Sequence, residues 1–380
     1  MRWEEAYEGW QVRSLTQEEA ARLLGVCERT FRRYIDRYEE EGLDGLMDKR
    51  LTEVSHRKAP VDEVLRMEAL YRQRYDGWTV AHFFERYQDE HKGSRSYTWV
   101  KNRLHEAGLV EPGKRRGPHR KRRPRAPLPG LLIHQDGSTH EWVAGEKWDL
   151  IVTMDDATSE VYSGFFVDEE GTFSSFQGVK ETIEKRGLFS SFYSDRGSHY
   201  WVTKDAGGKV DKRQLTQFGR AMSQLGIQMI PAYSPEARGR SERCFRTLQD
   251  RLTKELALAG ITTMAEANRF LNNVFWKRFN QKFQVAAREP GTAFVPLLGT
   301  DLDNIMCVQV ERVVRKDNCV SYQGKLLQIP EDPLRHHYVK ATVRIHEYPQ
   351  GGFAIFHGPR KLGSYDAEGQ LIKTRTKAAA

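Results

Sequence analysis

Small and apolar residues recur at helical intervals through the first third of the chain. In residues 15–41, Ala21 and Gly25 stand four positions apart and Phe31 follows six positions later. A small residue lets two helices approach closely, a glycine permits the turn, and later apolar positions seat a second helix. The pattern therefore predicts a helix-turn-helix unit whose second helix covers about residues 28–39.

A second helical unit is predicted over residues 61–109. Ser96 is a residue type that caps helices, Val100 and Leu104 recur at helical spacing behind it, and Gly108 ends the pattern. The aromatic residues of this segment fall on the same apolar faces. We therefore expect them to form a core rather than a platform for stacking nucleic-acid bases.

Near residue 130 the pattern changes to short apolar runs separated by turn residues. The first three runs follow one another closely, which is typical of antiparallel neighbours. A stretch over residues 172–186 then predicts a helix, and a helix between strands favours parallel strands added to the same sheet. The predicted strands are residues 131–136, 147–155, 161–168, 190–194 and 228–232.

The segment after Gly239 separates into two faces of one helix. Its apolar stripe consists of Phe245, Leu248, Leu252, Leu256 and Ala259. Its polar stripe consists of Glu242, Arg246, Gln249 and Thr253. We expect the first face to pack in the core and the second to present an acid, a cation and an amide together.

Beyond residue 260 the sequence predicts an aromatic helical segment and then a small, basic β-barrel built from short strands and Gly-containing turns. The fold class expected for the whole chain is multidomain α+β. The predicted domains are two helix-turn-helix units (1–55 and 56–111), a basic linker (112–129), an α/β core with a mixed sheet (130–260), a helical linker (261–304), the barrel (305–366) and a tail (367–380).

Positive charge is concentrated in one segment of the chain. Lys and Arg number 60 against 52 Asp and Glu, which gives a net charge of +8. Residues 114–125 hold eight of the basic residues and no acid. Such a block repels itself, cannot form a core and suits a polyanion such as DNA, although a solvated linker is the alternative interpretation.

Other features argue against whole classes of protein. Residues 1–10 carry three Glu and lack the apolar segment of a signal peptide, and no run is long enough for a membrane span. The four cysteines form no Cys-x-x-Cys pair and are too scattered for a zinc site. We expect reduced thiols in a cytoplasmic, nucleoid-associated protein.

Three carboxylates stand at the ends of predicted elements or on a polar helix face. Asp136 follows the first apolar run, Asp195 follows the strand at 190–194, and Glu242 lies on the polar face described above. Hard divalent ions prefer carboxylate oxygens, and acids that converge without a cation would repel one another. Two such ions roughly 4 Å apart can hold the attacking and leaving oxygens of a phosphodiester displacement.

This ordered set resembles the DDE transposases and retroviral-type integrases, which share a ribonuclease-H-like catalytic core, and it is most similar to transposases of bacterial insertion sequences. The resemblance covers about residues 15–365. It implies that Asp136, Asp195 and Glu242 are the catalytic residues and the metal ligands, with two Mg²⁺ ions that Mn²⁺ can replace. It also implies 3′-end cleavage and strand transfer without a covalent protein–DNA intermediate.

Other acids compete for two of these positions. Asp155 and Asp156 precede Ala-Thr and suit an Asx-type turn. The resemblance selects Asp136, because the family carries its first acid on the first strand. Glu236 is the alternative third acid, and we assign it to the predicted Ser-Pro loop before the helix.

The sequence departs from the family pattern in two respects. The interval from Asp195 to Glu242 is longer than in retroviral integrases, which we attribute to a surface insertion over residues 201–212. Gln249 stands where a basic residue is common. Neither departure removes one of the three acids.

Residues predicted to contact DNA lie in the two helical units, the basic linker and the helix that carries Glu242. They are Arg29, Thr30, Arg32, Arg33, Thr98, Lys101, Asn102, Arg103, Lys114, Arg115, Arg116, Arg120, Lys121, Arg122, Arg123, Arg238, Arg240, Arg243 and Arg246. The resemblance implies that the partners are double-stranded DNA, namely transposon terminal inverted repeats and target DNA. It also implies that a homo-oligomer binds this DNA and that no membrane is involved. An ordinary helical hairpin with a solvated charged face is the alternative for the first unit.

Two other functions compete with transposition. A catalytically inactive, transposase-derived regulator would bind DNA ends without cutting them. A simple ribonuclease-H-type nuclease would cut without needing a defined end sequence, and tandem helix-turn-helix units disfavour it.

Overall fold

A computed structural model describes residues 2–48, 59–113, 123–204, 208–233 and 235–372, without the side chains of 235–238. The chain divides into two compact units, Met1–Pro112 and Gly113–Ala380. Within the ranges given, no helix is both long and apolar enough to cross a membrane.

The first unit opens with the predicted helix-turn-helix. Its helices are α1 (Arg2–Gln11), α2 (Gln17–Leu23) and α3 (Glu28–Glu41), followed by a 3₁₀ turn (Gly42–Leu46). Thr16 and Glu19 form a capping box that starts α2, because the side chain of each accepts the backbone amide of the other. Gly25 makes the turn at φ +70°, and Phe31 is fully buried beneath α1. The sequence pattern did not predict α1.

The same unit contains three further helices where the second helical unit was predicted. They are α4 (Val61–Arg74), α5 (Val80–Asp89) and α6 (Tyr97–Glu106). The Ser96 hydroxyl accepts the amide of Trp99 and so caps α6, while Gly108 ends the turn after it at φ +66°. Tyr71 and Phe83 are buried with their rings edge to face, 5.1 Å apart, which confirms that these aromatic residues form a core.

The second unit is built on a mixed sheet. Its strands are β1 (Leu132–Val143), β2 (Glu146–Asp155), β3 (Val161–Val167), β4 (Ser191–Ser194) and, after a small hairpin of β5 (Val202–Thr203) and β6 (Val210–Asp211), β7 (Gln228–Pro231). The order across the sheet is β3-β2-β1-β4-β7. The β1–β2 and β2–β3 pairs are antiparallel, whereas β1–β4 and β4–β7 are parallel. The predicted mixed sheet is therefore confirmed.

Helices cover both faces of this sheet. They are α7 (Thr172–Arg186), α8 (Gln217–Gln224), α9 (Pro235–Leu258), α10 (Met264–Phe270), a π-helical turn (Leu271–Phe275) and α11 (Trp276–Phe283). One core joins the apolar stripe of α9 and the aromatic residues of α11 to β1, β2 and β3. A separate core joins α7 and α8 to Ile133 and Phe192. Residues that alternate along β1 thus face different helices.

The end of the second unit is a small β structure. Its strands are β8 (Val308–Val313), β9 (Cys319–Tyr322), β10 (Lys325–Gln328), β11 (Thr342–Glu347), β12 (Phe353–His357) and β13 (Arg360–Tyr365). They form a four-stranded antiparallel sheet, β13-β12-β11-β8, and a separate β9–β10 hairpin around one apolar core. The predicted small β-barrel is not confirmed, because the described strands pair as two sheets.

Candidate active site

Asp136 lies in the middle of a strand, whereas the sequence pattern placed it at the end of a short one. The strand is longer than predicted because β2 pairs with β1 along its length. Asp136 is almost completely buried, at 8% exposure. It is therefore held by a strand that is hydrogen-bonded in the sheet.

The register between β1 and β4 brings the first two acids opposite each other. These strands pair in parallel over residues 132–134, with His134 opposite Tyr193. Continuing the same register by two residues brings Asp136 opposite Asp195, which follows the last residue of β4. The Asp195 carboxylate accepts the amide of Gly197 at 2.9 Å, so the turn after the strand holds this acid in place.

Two polar contacts place α9 beside β1. Near the start of the helix, Arg240 contacts Asp156, whose amide donates to the carbonyl oxygen of Leu132 at the start of β1. Nine residues further along the helix, the amide of Gln249 donates to the hydroxyl of Ser138 at 3.1 Å. The contacts occur in the same order along both elements, so α9 follows β1 in the same direction.

Glu242 lies between these two contacts. Two residues later, burial raises the pKa of the Cys244 thiol to about 12, and the nearby charge of Asp136 adds to this effect. This part of α9 is therefore close to Asp136. Glu242 itself is on the exposed side of the helix.

The predicted boundary of this helix was wrong. The helix begins at Pro235 rather than after Gly239, so Glu236 lies in its first turn and not in a loop. The side chain of Glu236 lies outside the described residues. Among the side chains that the structure describes, no three His, Cys, Asp or Glu lie close enough together to hold a metal ion.

The adjacent acids Asp155 and Asp156 have structural partners. Asp155 is fully buried and accepts the amide of Thr158 at 2.9 Å and the amide of Gly130 at 2.8 Å. This is the Asx-type turn that the sequence predicted. Asp156 is also fully buried and contacts Arg240 in α9.

Sequence reasoning missed Glu170, a fourth carboxylate, which approaches β1 at Gly137. A Cβ atom added to Gly137 would lie 2.2 Å from a Glu170 oxygen, and the Tyr200 hydroxyl is 3.5 Å from the same carboxylate. Burial raises the pKa of Tyr200 well above its ordinary value, and the charges of Glu170, Asp136 and Asp195 raise it further. The signal in the sequence is the glycine directly after Asp136, which marks a close approach.

The residues predicted to contact DNA lie in different environments. On α3, Arg29, Arg32 and Arg33 are exposed and Thr30 is half-buried; on α6, Thr98, Lys101 and Asn102 are exposed and Arg103 pairs with Glu106 at 2.7 Å. Arg243 and Arg246 are exposed on α9, whereas Arg123 and Arg240 both contact Asp156. Lys114, Arg115, Arg116, Arg120, Lys121, Arg122 and the side chain of Arg238 lie outside the described residues.

Comparison with solved structures finds retroviral proteins with low scores. The simian T-cell lymphotropic virus intasome, solved in complex with the PP2A regulatory subunit B56 gamma, aligns with 81% of this chain and 100% of its own, at 15% identity and a TM-score of 0.34. The HTLV-2 integrase catalytic core domain, solved in complex with magnesium in a trimeric form, aligns with 40% of this chain and 87% of its own, at 17% identity and a TM-score of 0.31.

Sequence comparisons are more informative. Residues 5–58 match a family model described as a winged helix-turn helix. The Sinorhizobium fredii protein y4bF, which carries the name of a transposase, is 31% identical over 342 residues, covering 89% of this chain and 74% of its own. The transposase for insertion sequence IS1202 of Streptococcus pneumoniae is 28% identical over 221 residues, 58% of this chain and 47% of its own. The chain therefore belongs to the transposases of bacterial insertion sequences.

Proposed function

We propose that this protein is a DNA transposase that binds the ends of its element and catalyses metal-dependent 3′-end cleavage followed by strand transfer into target DNA. The observation that carries the proposal is the register of two neighbouring strands, which brings Asp136 opposite Asp195. The helix that carries Glu242 runs beside the first of these strands. Membership of the transposase family supports it.

The three acids fit divalent metal ions in their chemistry. All are carboxylates, which hard cations such as Mg²⁺ prefer, and two of them come from adjoining strands of one sheet. Asp136, Asp195 and Glu242 are the proposed ligands of two Mg²⁺ ions, and Mn²⁺ is expected to substitute for them. When bound, such ions lower the pKa of an attacking water and stabilise charge on the phosphate.

The protein's own side chains would orient the DNA. Arg243 and Arg246 are exposed on the same helix as Glu242 and can contact phosphates beside it. No protein nucleophile is required. Cys244, the thiol nearest to Glu242 in sequence, is unsuited to that role because it is buried and its pKa is raised to about 12.

The partners proposed are double-stranded terminal inverted repeats and target DNA. The winged helix-turn helix match and the exposed Arg29, Arg32 and Arg33 of α3 support sequence-specific contacts in the major groove. Because two ends must be joined in one event, a homo-oligomer on DNA is expected.

Strand cleavage and transfer on labelled duplexes that carry the element's ends, with Mg²⁺ and then Mn²⁺, test the proposal. Glu242→Gln and Asp136→Asn should abolish both products while end binding persists. Asp250→Asn is the matched control, because Asp250 lies on the same helix and pairs only with Lys254 at the surface among the described residues. End binding without products from the wild type with either ion would favour the inactive regulator.

A further inference from the structure

Asp156, directly after β2, is the centre of a buried charged cluster. Its Oδ1 atom accepts hydrogen bonds from the guanidinium groups of Arg123 and Arg240 and lies 2.7 Å from His134 Nε2. Its Oδ2 atom accepts the amide of Ala126 at 2.7 Å. These partners come from three places: the segment that enters the second unit, strand β1 and helix α9.

The cluster keeps Asp156 charged. Burial alone would raise the pKa of this carboxyl group, but the hydrogen bond and charge of His134, the Ala126 amide and the charge of Arg240 together hold it well below its ordinary value. A buried carboxylate with partners on both oxygens resists displacement, because moving a partner away leaves charge unpaired in a low-dielectric interior.

Arg240 transmits this constraint to α9. Its side chain is 16% exposed, with one terminal nitrogen directed at Asp156 and the other donating to the carbonyl oxygen of Arg123 at 2.6 Å. Two acceptors in different directions hold a planar guanidinium in one orientation. Glu242 follows two residues later in the same turn of the helix.

We infer that Asp156 is a positioning residue for the transposition reaction. It acts through Arg240 to set where the first turns of α9 lie, and therefore the position of Glu242 relative to Asp136. The inference rests on the proposed function, since the place of Glu242 matters only if this acid binds metal. The contact of Gln249 with Ser138 holds the same helix on the far side of Glu242.

The test measures Mn²⁺ binding to the full-length protein by calorimetry, together with metal-dependent strand cleavage. Asp156→Asn should weaken Mn²⁺ binding by about 10- to 100-fold, as loss of a group that orients metal ligands commonly does, and raise the metal concentration for half-maximal cleavage. Arg240→Gln should have the same two effects, and it tests the inference independently if Asp156→Asn does not fold. Arg240→Lys keeps the charge but has one donor nitrogen instead of two, so its Mn²⁺ affinity should fall between those of the wild type and Arg240→Gln.

Asp155→Asn is the matched control for general destabilisation. Asp155 is equally buried, but it holds the local turn and the Gly130 amide rather than α9. Its variant should keep wild-type Mn²⁺ affinity even where its melting temperature falls. The double variant Asp156→Asn/Arg240→Gln should bind Mn²⁺ no more weakly than the weaker single variant.

The outcomes separate the inference from the function on which it rests. If the wild type binds Mn²⁺ and cleaves DNA, and Asp156→Asn and Arg240→Gln match it in both, the inference is overturned and the proposed function stands. If the wild type neither binds Mn²⁺ nor cleaves the end-bearing duplex, both are overturned.

Discussion

Gln249 donates a hydrogen bond to Ser138 at 3.1 Å, which joins α9 to β1 two turns of helix after Glu242 and two residues after Asp136. In the family that the sequence resembles, a basic residue is common at this position. The amide instead faces the strand. Gln249 therefore joins the helix to the strand, whereas Arg246 of the same helix is exposed.

Loss of the Gln249–Ser138 contact should weaken catalysis without weakening DNA binding. One hydrogen bond is worth about 1 kcal/mol, so Gln249→Ala should slow strand transfer by roughly fivefold. Ser138→Ala should have the same effect, and the double variant should lose little more than either single one. Transfer rates with matched end-binding curves check this. Additive losses would show that the two side chains act separately.

Local patterns predicted the elements of the site, but not the contacts between them. The cap at Ser96, the turn at Asp155 and the apolar stripe of α9 depend on neighbours within a few residues, so they can be recognised in the sequence. The contact of Asp156 with Arg240 joins residues 84 positions apart. Nothing local distinguishes that arginine from the exposed ones around it, which is why it was grouped with residues predicted to contact DNA.

The start of α9 was misplaced for a similar reason. Gly239 and the Ser-Pro dipeptide suggested a loop, because glycine is unfavourable inside a helix and the residue before a proline is disfavoured in the helical conformation. Proline at the first helical position is in fact where this helix starts. The helix continues through Gly239, and a local cost of about 1 kcal/mol for that glycine is small beside the packing of the helix on the sheet.

Gly164→Ala should destabilise the second unit. An added Cβ would lie 2.2 Å from the Trp276 ring, whose indole nitrogen donates to the Gly164 carbonyl oxygen at 2.7 Å. Relieving the overlap requires a buried tryptophan to move, which typically costs about 1–3 kcal/mol. Denaturant unfolding checks the loss. Gly171→Ala is the control, since among the described residues no atom beyond its chain neighbours lies within 4 Å of its added Cβ.

His346 should make the small β structure less stable in acid. Burial lowers the pKa of this imidazole to about 4, and the charges of Arg344, Arg220 and Lys361 add to the effect. The unfolded chain takes up the proton near its ordinary pKa of about 6.5. The folded state is therefore at full stability above that pH and loses on the order of 3 kcal/mol as the pH falls from about 6.5 to 4.

Hydrogen exchange of the β11 and β12 amides, corrected for intrinsic rates, measures this local stability. His346→Phe is the matched variant, because the imidazole is already stacked on Phe356 with ring centroids 4.2 Å apart. In the variant, these amides should be protected from exchange almost equally at pH 7 and pH 5. An unchanged pH dependence would assign the acid sensitivity to other groups.

Cys27 offers a probe of the DNA contact proposed for α3. It is the exposed residue directly before the helix, and hydrogen bonds from the side chain and amide of Thr30 lower the pKa of its thiol. The cysteines at 244, 307 and 319 are buried, and burial raises the pKa of each. Iodoacetamide should therefore modify Cys27 first, because the thiolate is the reactive form.

If the start of α3 enters the major groove, a duplex carrying the element's end should protect Cys27 from modification, because this residue is adjacent to the helix that carries Arg29 and Arg32. Mass spectrometry after timed labelling measures the rate at each cysteine. A scrambled duplex is the control and should protect less at physiological salt, where non-specific binding is weak. Equal labelling of Cys27 with and without the end sequence would place the contact elsewhere on the chain.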